Sequence, residues 1–537
     1  MDDETRVEWR DWGAAAFAEA ERTGRPVLLS LTATWCAACH EMDAETYADP
    51  RVAAAIHDDY VPVRVDVDRR PRVRERYNMG GFPSTVFLAP DGSVITGAAA
   101  LGPDPMRQVL DRVRGTWDER GSDAAQVPRA LSGDTPPAGE VTRDVVEHLA
   151  GQVEERFDAE HGGWGTDAKF PLPRTVEFAL KRDRDRALRT LDAVRDHLFD
   201  DVEGGFFRFA ERPDWGGVHH EKTLDANAGL VRAFANAYLY TGEDAYRRPA
   251  ERTVEFLVDA LWNGEAFGGS VGPGAGRDYY GRGAEGRSEA TSPRTDLTAY
   301  AGPNALVADA LLTLHAYTDD STAREYAERT LRFLDDRLVT DGVVARHRGD
   351  DAPAGLLADQ ARTTAAFARA AGVLDREWTA RARAVADATV ERLHEEGSFR
   401  DGPATGAGLL DRPLRPLDGN VEAASALLDL AALTGEEAYR ARAEETIAAF
   451  AGAWDRFGAQ VAEYGTVVAR LLDDPLVVVV RDEPGSDLHR AAWRVADHEK
   501  AVVLEAGDGA ATVRRGERRA GPVGTPEALT RAVADVL

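Results

Sequence analysis

The chain has 537 residues, 43% of them hydrophobic, and its 93 acidic residues outnumber 65 lysines and arginines to give a formal net charge of −28. So acidic a chain lacks the basic footprint that nucleic-acid phosphates require, and no apolar run approaches the ~18 residues of a membrane span, so neither nucleic acid nor a membrane is an expected partner. The length predicts two or three domains.

Lysine is rare among the basic residues, since the chain has only Lys169, Lys181, Lys222 and Lys500. An acidic, lysine-poor surface suits a very salty cytoplasm, because screening at molar salt suppresses the repulsion among excess carboxylates. Residues 1–6 are followed by no apolar segment of the kind that signal peptides contain. We therefore expect a cytoplasmic protein of a halophile.

Residues 1–120 show alternating strand and helix patterns in the order βαβ followed by ββα. This order is that of a thioredoxin-like domain. A segment rich in Ser, Gly, Pro and Asp at 121–139 is predicted to be a linker. The predicted strands are 26–32, 60–66, 84–88 and 94–98, and the predicted helices are 37–47, 71–77 and 104–120.

Cys36 and Cys39 are the only cysteines of the chain, and they are spaced as a dithiol pair between a buried strand and a helix. Cys36 should lie at the helix N-terminus, where free N–H groups and the helix dipole favour the thiolate. We therefore expect Cys36 to be the attacking thiol and Cys39 the resolving one. In thioredoxin-like domains a cis proline before a strand faces the dithiol, and Pro83 is the candidate.

The cysteine pair has three other interpretations. A zinc site needs about four N or S ligands, and a second cysteine pair is absent. The residues Cys36 to His40 also match the C-x-x-C-H pattern of haem attachment, although haem c is normally attached after export. Two idle thiols on an inherited fold remain open. Neither a metal nor another cofactor is expected.

From residue 140 to 472 the apolar residues recur with a helical period. Twelve segments make six hairpins, and short similar sequences opening several of them indicate a closed α/α toroid or a solenoid. The predicted helices are 140–157, 174–183, 185–200, 223–241, 244–262, 298–318, 321–338, 356–372, 375–396, 419–434, 436–453 and 458–472. Residues 473–537 return to strand and helix patterns and predict a small α/β appendage.

Motifs along most of the chain resemble one family. Cys36-Ala37-Ala38-Cys39-His40-Glu41-Met42 is similar to Cys-His-Trp-Cys-His-Val-Met, and the residues from Pro83 to Gly92 match Pro-x-x-Val-Phe-Leu-x-Pro-Asp-Gly. The stretch from His219 to Ala228 resembles His-Phe-Glu-Lys-Met-Leu-Tyr-Asp-Asn-Ala. The family is that of the spermatogenesis-associated thioredoxin-like proteins. This resemblance implies a thioredoxin-like domain fused to a six-hairpin (α/α)6 toroid similar to those of glycosidases and sugar epimerases.

The long loops between hairpins carry residues suited to a sugar-like ligand, because aromatic rings cover the apolar faces of pyranoses while carboxylates and amides bind their hydroxyls. Glycoside hydrolysis also needs two carboxylates, for which Glu221 with Asp225 or Asp418 is the best pair. The candidate binding residues are Trp164, Lys169, Trp215, His219, Glu221, Lys222, Asp225, Asn227, Asp418 and Asn420.

Two classes of function follow. The first is a thiol–disulfide oxidoreductase whose toroid binds a partner or a carbohydrate-like ligand, working with a disulfide-containing protein or a thioredoxin-reductase-type electron donor. The second is a carbohydrate-active enzyme, epimerase- or glycosidase-like, or a sugar-binding protein whose thioredoxin-like domain is regulatory or vestigial.

Overall fold

The computed structural model describes residues 5–131 and 135–537. Its first part is a five-stranded sheet in the order β1-β3-β2-β4-β5, in which β2 runs parallel to β3 and antiparallel to β4. The strands are β1 (Arg10–Asp11), β2 (Val27–Thr32), β3 (Val61–Asp66), β4 (Ser84–Leu88) and β5 (Val94–Ala98). The helices are α1 (Ala14–Thr23), α2 (Ala37–Glu45), α3 (Pro50–Asp59), α4 (Pro71–Tyr77) and α5 (Pro103–Arg120).

This part confirms the thioredoxin-like prediction and adds to it. Helices α1 and α3 were not predicted. The start of α3 is capped by Asp49, whose carboxylate accepts the N–H groups of Arg51 and Val52. The unit also runs into the predicted linker, because Gln126 pairs with Val94 and Leu131 is buried in the core of this part.

The second part is a closed ring of helices, which confirms the six-hairpin toroid. Six inner helices, α7, α9, α13, α15, α17 and α19, contact one another in sequence, and α19 closes back on α7. The helices are α6 (Arg143–Glu155), α7 (Pro173–Arg182), α8 (Arg184–Leu198), α9 (Leu224–Thr241), α10 (Asp244–Phe256), α11 (Arg277–Tyr280), α12 (Ala284–Ser288), α13 (Ala301–Thr318), α14 (Ser321–Phe333), α15 (Leu357–Val373), α16 (Trp378–Leu393), α17 (Leu417–Thr434), α18 (Glu437–Ala448) and α19 (Ala462–Leu472).

Inner and outer helices differ in their side chains for a physical reason. The inner helix α13 is buried on nearly every side and is apolar all round, whereas the outer helix α14 has one apolar stripe facing the ring. Short strands in the loops stand before the inner helices. They are β6 (Phe209–Ala210), β7 (Val218–His219), β8 (Lys222–Thr223), β9 (Ser270–Val271), β10 (Thr295–Asp296), β11 (Val339–Thr340), β12 (Val343–Val344), β13 (His394–Glu395) and β14 (Ser398–Phe399).

The last part is a four-stranded sheet in the order β16-β15-β17-β18 with two helices. Its hairpin β17–β18 was not predicted. The unit packs on the ring where α15 ends, because His489 Nε2 and Trp493 Nε1 both contact the carbonyl oxygen of Gly372, at 2.8 and 3.0 Å. The elements are β15 (Val477–Arg481), α20 (Asp487–Trp493), β16 (Ala501–Leu504), β17 (Ala510–Arg515), β18 (Arg518–Val523) and α21 (Pro526–Val536).

The two α/β units therefore close opposite ends of the toroid: the thioredoxin-like unit covers the end where the inner helices begin, and the last part covers the other. Among the residues that the structure describes, no helix combines the length and the apolar character needed to cross a bilayer.

Candidate functional site: a dithiol at the mouth of a toroid

The cysteine pair lies at the start of α2. Cys36 is the N-cap residue, and its Sγ accepts the Cys39 N–H at 3.1 Å. Cys36 and Cys39 are joined by a disulfide, and their exposed fractions are 5% and 3%. Strand β2 positions Cys36, because all six residues of the strand are buried and hold the C-terminal end of the strand in place. The dithiol is thus held at a helix N-terminus, where a thiolate is favoured on reduction.

Phe82 and Trp35 place the proline loop beside this motif. The Phe82–Pro83 peptide bond is cis, as expected, and the Phe82 ring meets the Trp35 indole edge-on with 5.4 Å between ring centroids. The indole N–H of Trp35 donates to Asp68 Oδ2 at 2.8 Å. Burial, with a contribution from the charge of Asp66, raises the pKa of Asp68 to about 7.

Residues of the toroid also contact the segment that carries the dithiol. The guanidinium of Arg208 lies over the Trp35 ring, 4.3 Å from the ring centroid, and forms an ion pair with Glu221 at 3.1 Å. A Cβ atom on Gly272 would lie 3.3 Å from the carbonyl oxygen of Thr34, so the two backbones approach closely there. Arg346 adds a hydrogen bond from Nε to the Asp68 carbonyl oxygen at 2.9 Å.

Helix α4 fixes the thioredoxin-like unit to the ring through buried charges. Arg72 Nε and Arg76 Nη1 both donate to Asp401 Oδ2, at 2.7 and 2.8 Å. Arg76 also donates to the carbonyl oxygens of Leu409 and Arg412. Burial alone would raise the pKa of Asp401, but the hydrogen bond and charge of Arg76 outweigh it and lower the pKa. Every group of this cluster is paired, which makes the docking specific.

Between the two units lies a cavity of about 440 Å³, here called the mouth cavity. Trp35 and Tyr300 supply aromatic walls, and the remaining lining is mostly charged. The charged residues that line it are Asp68, Arg72, Arg74, Glu75, Arg208, Asp225, Arg346, Asp359, Arg362, Asp401, Asp418 and Glu422. Within residues 5–131 and 135–537, no cluster of three or more His, Cys, Asp or Glu side chains is arranged to hold a metal ion.

Several carboxylates of the mouth cavity have no cationic partner. Glu75 and Asp418 form neither a hydrogen bond nor an ion pair within the described part of the chain, and Asp225 accepts only the N–H of Ala226. Burial raises the pKa values of Asp418 and Glu75, with further contributions from Glu422 and Asp401 respectively. Asp359 Oδ2 is buried without a hydrogen-bond partner among these residues.

The lumen below the mouth cavity is also charged. Arg232 bridges Glu177 and Asp309, with N–O distances of 2.5 and 2.8 Å, and Arg369 joins Asp309 at 3.0 Å. Nearer the mouth, Arg362 forms a bidentate pair with Glu422, at 2.7 and 2.9 Å. None of these lumen residues was predicted from the sequence as a candidate site residue. One sequence pattern could have identified them: within otherwise apolar helices, charged residues recur seven positions apart, which is two helical turns and places them on one face. The pairs are 225 and 232, 362 and 369, 422 and 429, and 463 and 470.

Of the predicted binding residues, Asp225 and Asp418 line the mouth cavity. Glu221 lies behind Arg208, is 4% exposed and does not line it, so the cavity does not bring Glu221 together with Asp225 or Asp418 as a facing pair. His219 pairs with Glu211 at 2.8 Å. The carboxylate of Glu221, 3.7 Å from His219 Nδ1, and the hydrogen bond to Glu211 raise the pKa of His219, although burial opposes them.

Four more predicted residues are buried with their polar atoms bonded inside the protein, which corrects the expectation that they gather at one open mouth. Lys169 Nζ donates to Asp158 at 2.8 Å, and Lys222 Nζ donates to Asp200 at 2.6 Å. The indole N–H of Trp164 donates to the carbonyl oxygen of Val153 in α6, and that of Trp215 donates to the carbonyl oxygen of His161. Each residue stabilises the loop that precedes an inner helix.

Asn227 and Asn420 share a structural role that the sequence analysis also missed. Each is the fourth residue of an inner helix and clamps the preceding hairpin, with Oδ1 accepting a phenylalanine N–H at 2.7 Å and Nδ2 donating to the carbonyl oxygen of that phenylalanine. Asn304 does the same in α13, at 2.9 Å to both groups. Because the same clamp recurs in three inner helices, a structural role accounts for these asparagines and no ligand is needed to explain them.

Several known proteins resemble parts of this chain. Residues 1–133 match the family model Thioredox_DsbH, described as "Protein of unknown function, DUF255". Human spermatogenesis-associated protein 20 is 27% identical over 299 residues, covering 48% of this chain and 37% of that protein. The motif-based resemblance is thereby confirmed, and the chain matches little more than a third of the length of this relative.

Two further similarities concern one part each. The "Thiol:disulfide interchange protein DsbD 1" of Pseudomonas aeruginosa is 34% identical over 104 residues, covering 19% of this chain and 17% of that protein. A sugar epimerase from a ruminal bacterium, 13% identical, aligns in structure with a TM-score of 0.47 over 57% of this chain and 84% of the epimerase.

Proposed function

We propose that the protein is a thiol–disulfide oxidoreductase that uses Cys36 and Cys39. The observation that carries this proposal is the position of Cys36 as N-cap of α2, bonded to Cys39 within the same motif. A reduced pair so placed combines a stabilised thiolate with a second thiol that is already within reach. The similarity of residues in this region to a thiol:disulfide interchange protein supports the same chemistry.

In the proposed reaction the Cys36 thiolate attacks a sulfur of a disulfide substrate and releases one thiolate. The Cys39 thiolate then attacks Cys36 Sγ, which releases the second substrate thiolate and forms the Cys36–Cys39 disulfide. Two electrons pass from the dithiol to the substrate. A thioredoxin-reductase-type donor would return them and restore the dithiol.

The test is a single-turnover reaction of the reduced, desalted protein with bis(2-hydroxyethyl) disulfide, followed by thiol titration. We expect loss of two protein thiols and release of two equivalents of 2-mercaptoethanol per chain. Cys36→Ser should abolish this release. Equal release from Cys36→Ser, or no release from the wild type, contradicts the proposal.

The acidic, lysine-poor composition supports a cytoplasmic protein of a halophile as the setting of this activity. Three of the four lysines, Lys169, Lys222 and Lys500, are buried, so the exposed cations are almost all arginines.

A second candidate is binding or conversion of a carbohydrate in the mouth cavity. The observation that favours it is that Asp225 and Asp418, which form no ion pair with any described residue, line the same cavity as the rings of Trp35 and Tyr300. Isothermal calorimetry with neutral mono- and disaccharides tests it. Binding that Asp418→Asn weakens supports this candidate, and the absence of any heat of binding contradicts it.

A further inference from the structure

The docked toroid controls what can reach the dithiol. Trp35 is covered by Arg208, the Thr34 backbone meets Gly272, and the thioredoxin-like unit is tied down by the buried Arg76–Asp401 pair. A folded protein substrate would have to separate these surfaces before its disulfide met Cys36. Breaking such a buried ion pair leaves uncompensated charge and is strongly unfavourable.

A small molecule need not separate the two units to enter the cavity between them, although Cys36 itself does not line that cavity. The mouth cavity, at about 440 Å³, has the size of an ordinary small-ligand pocket, and its wall includes Trp35, the residue directly before Cys36. The cavity and the dithiol motif therefore share one side chain. A ligand in the cavity stands next to the segment that carries the attacking sulfur.

The charges of the mouth cavity select among small molecules. Four of its five arginines, namely Arg72, Arg208, Arg346 and Arg362, are each paired with a carboxylate; Arg74 has no such pair within the described part of the chain. Among residues 5–131 and 135–537, the carboxylates Glu75, Asp225 and Asp418 have no ion-pair partner, and Asp359 Oδ2 is buried with no hydrogen-bond donor. The unpaired carboxylates thus outnumber the one unpaired arginine, and ammonium groups satisfy such acceptors with hydrogen bonds and charge together.

We propose that the disulfide substrate is a small amine-bearing molecule, bound in the mouth cavity with its ammonium groups on Asp225 and Asp418, rather than a protein. This inference rests on the proposed oxidoreductase function. The substrate, R–S–S–R, is the oxidant: it takes two electrons from the dithiol and leaves as two R–S⁻ thiolates, while the Cys36–Cys39 disulfide forms. Its ammonium groups stay protonated throughout.

The test compares single-turnover rates of the reduced protein with four disulfides at one KCl concentration. The probes are cystamine, which is dicationic, bis(2-hydroxyethyl) disulfide, which is neutral, dithiodipropionate, which is dianionic, and insulin. Each rate is divided by the rate of the same disulfide with free dithiothreitol, which removes differences in intrinsic reactivity. We expect normalised rates for cystamine about tenfold or more above those for dithiodipropionate and for insulin.

Matched variants distinguish the effect of the cavity carboxylates on the rate from the effect of the general surface charge. Asp225→Asn combined with Asp418→Asn should lower the ratio of the normalised cystamine rate to the normalised neutral-probe rate about tenfold. Asp111→Asn combined with Asp535→Asn removes two exposed charges outside the cavity lining and should change neither rate.

The outcomes distinguish the two proposals. Cys36-dependent reactions with equal normalised rates for all probes, a faster reaction with insulin, or equal effects of the two double variants would overturn the inference and leave the oxidoreductase standing. A failure of every probe to react through Cys36 would overturn both.

Discussion

Arg76 and Asp401 form a buried ion pair across the boundary between the thioredoxin-like unit and the toroid, with 2.8 Å between Nη1 and Oδ2. The Arg76 side chain is fully buried and that of Asp401 is 3% exposed. Removing one partner of such a pair costs far more than the pair contributes, because the remaining charge is left without compensation. This relationship makes the docked arrangement testable.

Asp401→Asn should destabilise the docked state by about 3–5 kcal/mol, since Arg72 and Arg76 would lose their shared carboxylate. We expect faster alkylation of Cys36 in the reduced protein. The matched control is Asp351→Asn, because Asp351 also pairs with an arginine of the thioredoxin-like unit, Arg70, but its side chain is 76% exposed. This control should cost at most ~1 kcal/mol. Equal alkylation rates in both variants would show that the interface does not cover the dithiol.

The raised pKa of Asp68 predicts a pH dependence of stability. The folded state binds a proton up to about pH 7, whereas the unfolded chain releases it near pH 4. The contribution of Asp68 to stability therefore falls as the pH rises from about 4 to 7 and is constant above. Asp68→Asn keeps an acceptor for the Trp35 N–H.

This variant should melt at a higher temperature than the wild type at pH 8, by about 2–4 °C for each kcal/mol recovered, and show a smaller gain at pH 4.5. Asp111→Asn, which removes an exposed carboxylate elsewhere in the thioredoxin-like unit, serves as the control. A gain that is the same at both pH values would argue against a raised pKa.

The asparagine clamps predict parallel losses of stability. Asn227→Ala, Asn304→Ala and Asn420→Ala should each cost about 2–4 kcal/mol, because each leaves a buried phenylalanine N–H and C=O without a partner. Chemical denaturation measures the loss. If Asn420→Ala kept full stability while Asn304→Ala lost it, Asn420 would have a role other than the clamp.

The excess of acidic residues predicts that the melting temperature rises with KCl into the molar range, since screening relieves repulsion within a chain of net charge −28. Differential scanning calorimetry at several KCl concentrations checks this, with tetramethylammonium chloride as a second salt of the same ionic strength. A melting temperature that is flat or falls with salt would contradict the halophile interpretation.

The sequence was informative where periodicity is long and uninterrupted. The twelve long toroid helices of the described residues were all predicted because apolar residues recur over about three or more turns in each, whereas the short α11 and α12 were not. Helix α3 was missed although Asp49 and Pro50 are a recognisable cap and first turn, since its apolar stripe is short. The hairpin β17–β18 was missed because the residues of β18, such as Arg518, are largely exposed.

The site was less predictable for a physical reason. The dithiol is local and visible in the sequence, whereas the mouth cavity joins Trp35 to Asp418, nearly four hundred positions apart. Lys222 and Asn227 looked like ligand-binding groups because their residue types are the same ones that satisfy buried loops. Only the three-dimensional arrangement distinguishes a polar side chain bonded inside a loop from one that faces a cavity.

The central claim is that Cys36 and Cys39 exchange electrons with a disulfide, and trapping the intermediate tests it most directly. In Cys39→Ser the resolving thiol is absent, so incubation with bis(2-hydroxyethyl) disulfide followed by intact and peptide mass spectrometry should find one mercaptoethanol adduct per chain, on Cys36. Cys36→Ser should accumulate far less adduct on Cys39. A Cys39→Ser protein that stays unmodified, or adducts that form faster on Cys39 than on Cys36, would contradict the account.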